Sequence, residues 1–293
     1  MERWLREDYA TCRRVATHHY ENFSVVSAFV PKALRPNFYA LYAFCRGVDD
    51  LGDAYAGDRL AALCAWRLEL ARAYEGTTTQ PVFRALGDTV RRFDLDRREF
   101  EKLIDANVMD QASPAYATFE DTLAYCRCSA DPVGRLVLAL FGYRDERRQA
   151  LSDAVCTGLQ LANFLQDVDR DRRNGRCYWP EADLRRFGLS SALLLDPTWE
   201  DWDSAAVAAW TAFESERIEG YFALGAGLEA MLPGPLGRQI RLYRLGGEAI
   251  VQALRAQDGN PFRHRPVVST ASKLVIMGRV LTGWGGAAGR GRP

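Results

Sequence analysis

A chain of 293 residues with 48% hydrophobic and 26% charged side chains can bury a sizeable core, which excludes wholesale disorder. Thirty-eight basic residues balance 38 acidic ones, so the chain lacks the charge excess of a protein whose main partner is nucleic acid. Seven cysteines, odd in number and without a CxxC spacing, read as thiols of a reduced cytoplasmic protein. The opening MERWLREDYATCRR carries no apolar secretory core, and no run approaches the ~18 consecutive apolar residues of a membrane span.

Helical periodicity dominates, and alternating strand patterns are scarce. Taken in order, the spacing predicts helices near 6–21, 32–53, 57–75, 79–93, 96–109, 117–141, 145–172, 181–188, 202–231, 235–256 and 269–283. Breaks fall at Gly76, Asn174-Gly175, Pro233-Gly234-Pro235 and Asp258-Gly259-Asn260-Pro261. No repeat, linker or shift of composition marks a boundary. The expectation is one all-α domain over 1–284, followed by a tail at 285–293.

Two of these helices carry unusual chemistry. At about 100° per residue, Leu41, Phe44, Val48 and Leu51 share one face of the second helix. Tyr42, Arg46, Asp49 and Asp53 form a stripe roughly opposite, flanked by Phe38 and Cys45 rather than by polar residues. Gln160, Asn163, Asp167 and Asp171 form a similar stripe beside Cys156 and Phe164, while Leu161, Leu165 and Val168 face elsewhere. Like charges one turn apart cost an isolated helix about 0.2–0.5 kcal/mol per pair, so both stripes call for counter-charge. A single acidic run reads best as a solvated patch. Two runs, each with apolar flanks, favour two walls of one cavity.

Hard oxygen donors without histidine or thiolate suit Mg²⁺, which bridges one or two carboxylates to phosphate. The arrangement would then hold a diphosphate between the helices. Other metal sites fail on the same residues. A calcium loop opening at Asp167 meets Arg172 where glycine is needed and Tyr178 where glutamate is needed. None of the three histidines, His18, His19 and His264, follows a glutamate by three residues, which excludes a di-iron bundle. Neither a dinucleotide fingerprint nor a P-loop occurs.

The segments Tyr42-Ala-Phe-Cys-Arg46-Gly-Val-Asp49-Asp50-Leu-Gly-Asp53 and Gln160-Leu-Ala-Asn163-Phe-Leu-Gln-Asp167-Val-Asp-Arg-Asp171, the latter followed by Gly175-Arg176-Cys-Tyr178-Trp-Pro180, resemble the paired motifs of the squalene/phytoene synthase family. The resemblance extends from about residue 8 to about residue 280 and implies a single isoprenoid-synthase helical bundle around a central cavity. His19-Tyr20-Glu21-Asn22-Phe23, the stretch from Tyr125 to Arg135 and Asn163–Asp167 look most like the hydroxysqualene synthase branch of bacterial hopanoid biosynthesis. That branch converts presqualene diphosphate and water to hydroxysqualene and diphosphate. Two departures stand out: Asp131 where the branch has asparagine, and Leu51-Gly52 inside the first acidic motif.

The resemblance implies Mg²⁺ held by Asp49, Asp53, Asn163, Asp167 and Asp171, directly or through water. Asp50 and Asp169 lie off the stripes and read as outer or solvated groups. Arg46 is expected on diphosphate oxygens, with an intrahelical pair to Asp50 as the alternative. His19, Tyr42 and Gln160 are further candidates for holding substrate. Phe23, Phe38, Phe164, Val133 and Gly134 are candidates for lining an apolar enclosure that keeps stray water from a carbocation. Core packing accounts for each of those five equally well. Arg127 and Arg135 serve either substrate or neighbouring acids.

The apolar 269–283 segment, with Lys273, Arg279 and nearby Trp284, reads first as a terminal helix docked on the bundle and second as a peripheral membrane contact. Functional association with other squalene-pathway enzymes would suit the hydroxysqualene reading. Two rivals stand beside that reading: head-to-head coupling of prenyl diphosphates to presqualene diphosphate, squalene or phytoene, and a non-catalytic prenyl-diphosphate-binding subunit. Intact oxygen donors at all five metal positions argue against the last.

Overall fold

The computed structural model describes residues 2–18, 29–112, 115–196 and 204–282. Among them every regular element is helical: α1 (Arg3–His18), α2 (Arg35–Asp53), α3 (Arg59–Glu75), α4 (Pro81–Phe93), α5 (Arg97–Gln111), α6 (Phe119–Ser129), α7 (Asp131–Leu140), α8 (Glu146–Gln166), α9 (Val168–Arg173), α10 (Glu181–Arg186), α11 (Ser191–Leu195), α12 (Ser204–Gly225), a 3₁₀ turn (Ala226–Met231), α13 (Gly234–Arg255) and α14 (Thr270–Thr282). The all-α expectation holds.

Helix starts follow the chain chemistry. Asp58, Asp96 and Asp145 each accept a backbone N–H from the first turn of the helix they precede, and Thr118 and Asp121 form a reciprocal capping box on α6. Gly76 ends α3 with φ 76°, a left-handed conformation that glycine adopts without strain.

Two predicted helices are broken. The span 117–141 divides at Ala130, because Asp131-Pro132 opens a new helix and proline cannot continue the old one. The span 145–172 divides at Asp167, whose φ −107° and ψ 11° turn the chain from α8 into α9. The Asp171 N–H still donates to the Asp167 carbonyl at 2.8 Å, so the stripe survives the bend. Helix α11, capped by Ser190, was not expected from the pattern; at five residues it is too short to show periodicity.

One half of the bundle packs α1 to α5 around Phe44, Phe83, Phe100, Leu63, Leu70 and Ile104. The other packs α6, α8 and α12 around Trp179, Trp210, Phe222 and Leu161. Helix α7 touches both α2 and α8, whereas α2 and α8 pack little against each other. That separation leaves space between the two acidic helices. As predicted, Leu41, Phe44 and Val48 of α2 and Leu161, Leu165 and Val168 of α8–α9 turn into the core.

Gly87 brings α4 against the end of α3: a Cβ there would lie 2.7 Å from the Ala73 carbonyl oxygen. Backbone cannot yield as a side chain can. Gly87→Ala is expected to lower stability by about 1–3 kcal/mol, measured by chemical unfolding.

Candidate active site

A cavity of about 240 Å³ opens between the two halves. Asp49 and Asp53 of α2 line one side, and Gln160, Asn163, Phe164, Asp167 and Asp171 of α8–α9 line the other. Leu103, Asn107, Asp110, Tyr125, Ser129, Arg170, Arg176 and Tyr178 complete it. Asp49 and Asp53 of the first stripe thus share one enclosure with the whole of the second.

Burial comes first among the causes that shift these carboxyls. Asp49 is pushed up to about 7, chiefly by desolvation and then by Asp53 one turn away; the Asn107 amide and Arg46 oppose this. Its carboxyl keeps accessible surface, but that surface opens into the cavity. Asp171 is also raised to about 7 by burial, with Asp167 adding to the rise and Arg170 opposing it. A cavity that resists its own negative charge is one that favours a cation.

Part of the counter-charge comes from arginines. Arg176 donates to Asp53 at 2.6 Å across the cavity. Arg170 lies 3.2 Å from Asp167, and Arg265, from the segment before α14, donates to the same carboxylate at 2.5 Å. The sequence reading quoted Arg176 within its motif but gave it no role. Arg265 carried no signal, because its approach to Asp167 is purely tertiary.

One wall is aromatic. Tyr125 and Tyr178 donate their hydroxyls to the two oxygens of Asp110, at 2.8 and 3.0 Å. Phe164 stacks on Tyr178 with ring centres 4.1 Å apart and planes 7° from parallel. Burial raises the Asp110 carboxyl, while the two phenols and Arg176 oppose that rise. Asp110 lies one residue past the predicted 96–109 helix and had no role in the sequence analysis.

Several candidates fall elsewhere. Arg46 pairs with Asp50 at 2.5 Å and does not line the cavity, so the intrahelical alternative describes it. Tyr42 is half-buried against the core around Phe44 and is likewise absent from the lining. Phe38 packs in the core around Phe44, and the Val133-Gly134 pair is also displaced from this cavity. Gly134 sits tightly against Ser152 and Cys156 on α8, and Val133 is exposed beside it. His19 and Phe23 lie outside the described residues. Asp50 and Asp169 stay off the cavity, the latter paired with Arg172 and Arg173. Arg127 pairs with Glu120 and Arg135 chelates Asp153, and neither lines the cavity.

Both sequence departures have structural partners. Asp131 opens α7 and accepts the Thr157 hydroxyl at 3.0 Å, joining α7 to α8. Gly52 leaves room for Asn107: a Cβ there would lie 2.1 Å from Asn107 Oδ1. The Asn107 amide donates to the Leu103 carbonyl and favours the ionised form of Asp49.

Among the described residues, no three His, Cys, Asp or Glu side chains converge closely enough to cage one ion. The donor set still fits hard cations that take one or two carboxylates each and complete their shells with water and phosphate oxygens.

The comparisons agree with this architecture. Residues 16–272 match the family model described as squalene/phytoene synthase, and the chain belongs to that family. It is 52% identical to a solved structure described as squalene synthase HpnC from Alicyclobacillus acidocaldarius, with TM-score 0.83 over 89% of this chain and 98% of that one. A dehydrosqualene synthase structure superposes with TM-score 0.85 at 23% identity, covering 95% and 96% of the two chains, which supports the fold. The 15-cis-phytoene synthase of Synechococcus elongatus is 29% identical over 93% of this chain and 92% of its own.

Asp49, Asp131, Asp171 and Glu214 are all raised to about 7, so the folded chain retains protons that the unfolded chain releases near pH 4. Their combined contribution to stability falls as pH rises from about 4 to about 7 and levels off above. Thermal unfolding in chelator is expected to show Asp49→Asn and Asp171→Asn gaining stability relative to the parent between pH 5 and pH 8. A constant difference across that range would contradict the raised carboxyls. Gly52→Ala is expected to displace Asn107 and cost about 1–3 kcal/mol by chemical unfolding.

Proposed function

We propose that the protein is a Mg²⁺-dependent hydroxysqualene synthase of hopanoid biosynthesis, a lyase that ionises presqualene diphosphate and adds water to give hydroxysqualene and diphosphate. The observation that carries this reading is the pair of acidic stripes lining one enclosure with an aromatic wall. The 52% identity to a solved structure described as squalene synthase HpnC supports a place on the squalene side of the family.

Asp49, Asp53, Asn163, Asp167 and Asp171 would hold Mg²⁺. When bound, the metal would neutralise the diphosphate and make it a better leaving group. Arg170 and Arg176 line the same cavity and offer guanidinium donors to phosphate oxygens as charge builds on them. Gln160 adds an uncharged amide among the carboxylates. Phe164, Tyr125 and Tyr178 line the same cavity and would offer aromatic side chains to a developing carbocation while keeping bulk water out. Substrate and product of this reaction are lipid-soluble, so the reading includes work at a membrane surface and exchange with other squalene-pathway enzymes.

A second reading, head-to-head coupling of two prenyl diphosphates, is favoured by the phytoene synthases among the relatives. A non-catalytic role is disfavoured because oxygen donors stand at all five proposed metal positions, Asp49, Asp53, Asn163, Asp167 and Asp171.

Farnesyl, geranylgeranyl and presqualene diphosphates offered separately with Mg²⁺, with products read by mass spectrometry, test the choice. Hydroxysqualene is expected from presqualene diphosphate alone. Formation of squalene or phytoene from the simpler diphosphates, without hydroxysqualene, would establish the second reading. Asp49→Asn and Asp167→Asn are each expected to lower Mg²⁺-dependent diphosphate release by about 100-fold or more while circular dichroism stays unchanged. Parent rates in either variant would refute the metal assignment.

A further inference from the structure

Helix α14 is apolar on two opposite sides. Ile276 and Val280 are buried against Leu245 and Ala249 of α13, with Phe29, Leu242 and Val268 around them. Helical spacing puts Leu274, Val275, Gly278 and Leu281 on the other side. Leu274 is 71% exposed, Val275 61% and Leu281 61%, and Val267 on the approach to the helix is 62% exposed. An ordinary surface helix carries charge on that side.

The charge of the whole segment is equally one-sided. Between Gly259 and Pro293 there are six arginines and lysines, at 263, 265, 273, 279, 290 and 292, and no aspartate or glutamate. Because the 293 residues together are neutral, those preceding this segment carry a matching acidic excess. Lys273 and Arg279 are exposed on α14 itself. A second copy of the chain seated here would bring these like charges together. An anionic lipid surface would attract them and accept the apolar side chains.

We propose that the outer face of α14 docks on an anionic lipid bilayer, with Leu274, Val275 and Leu281 entering the acyl boundary and Lys273 and Arg279 meeting headgroup phosphates. The helix is fastened to the site it would serve. Gln166 donates to the Pro266 carbonyl at 2.7 Å, and Arg265 donates to Asp167 at 2.5 Å. The bilayer-facing segment is therefore tied to the second acidic stripe. This docking adds a partner to the function proposed above, but it is measured without substrate and can fail while that chemistry stands.

The test is sedimentation of the full chain with vesicles of equimolar phosphatidylglycerol and phosphatidylcholine, against vesicles of phosphatidylcholine alone. Binding to the anionic vesicles is expected to be about tenfold or more the tighter, and to weaken with salt. The triple variant Leu274→Ser, Val275→Ser, Leu281→Ser is expected to lose about tenfold or more in partitioning with its thermal unfolding kept. Lys273→Glu with Arg279→Glu, which leaves the apolar face intact, is expected to lose the preference for anionic vesicles. Absence of parent binding, or parent-like binding by both variants, would overturn the proposal. So would a concentration-dependent dimer that the triple variant dissolves, which makes the occupant a second copy. Binding that emerges only after deletion of 283–293 would overturn it too, by assigning the face to the chain's own tail.

Discussion

The site depends on like charges held across a space they cannot leave. Asp49, Asp53, Asp167 and Asp171 are carried by helices whose other faces are sunk in two separate apolar cores, so mutual repulsion cannot swing them apart without unpacking Phe44 and Val48 or Leu161 and Leu165. Repulsion is relieved locally instead. Asp49 and Asp171 hold their protons more tightly, while Arg176 and Arg265 lean on Asp53 and Asp167. The scaffold thereby keeps a cation-seeking recess open at the junction of its halves.

Much of this was legible because helix periodicity reports both what a helix buries and what it withholds. Leu41, Phe44 and Val48 identified the inward face of α2, which left Asp49 and Asp53 with nowhere ordinary to go. The same logic served α8 despite the bend at Asp167, since one backbone hydrogen bond carries the helical register past the break. Placing an acid on a stripe needs only its own helix.

What escaped the sequence depends on neighbours from distant segments. Arg46 shares the α2 stripe, yet Asp50 one turn on lies within its reach and holds it away from the cavity. Asp110, Asn107 and Arg265 lie on other segments and carry no local pattern. Gly52 was visible as an oddity without an explanation; Asn107 supplies one, since the missing side chain and the intruding amide occupy the same volume. Asp131, the other oddity, works between two helices through Thr157 and stays out of the cavity.

The shared carboxylate beneath the aromatic wall has a chemical corollary. Tyr125 and Tyr178 each commit the phenolic proton to Asp110, one to either oxygen. Each phenol is thereby fixed at its oxygen, and its ring cannot turn without giving up a buried hydrogen bond. The two tyrosines thus brace the chamber from opposite oxygens of one acid, so displacing Asp110 would release both rings at once.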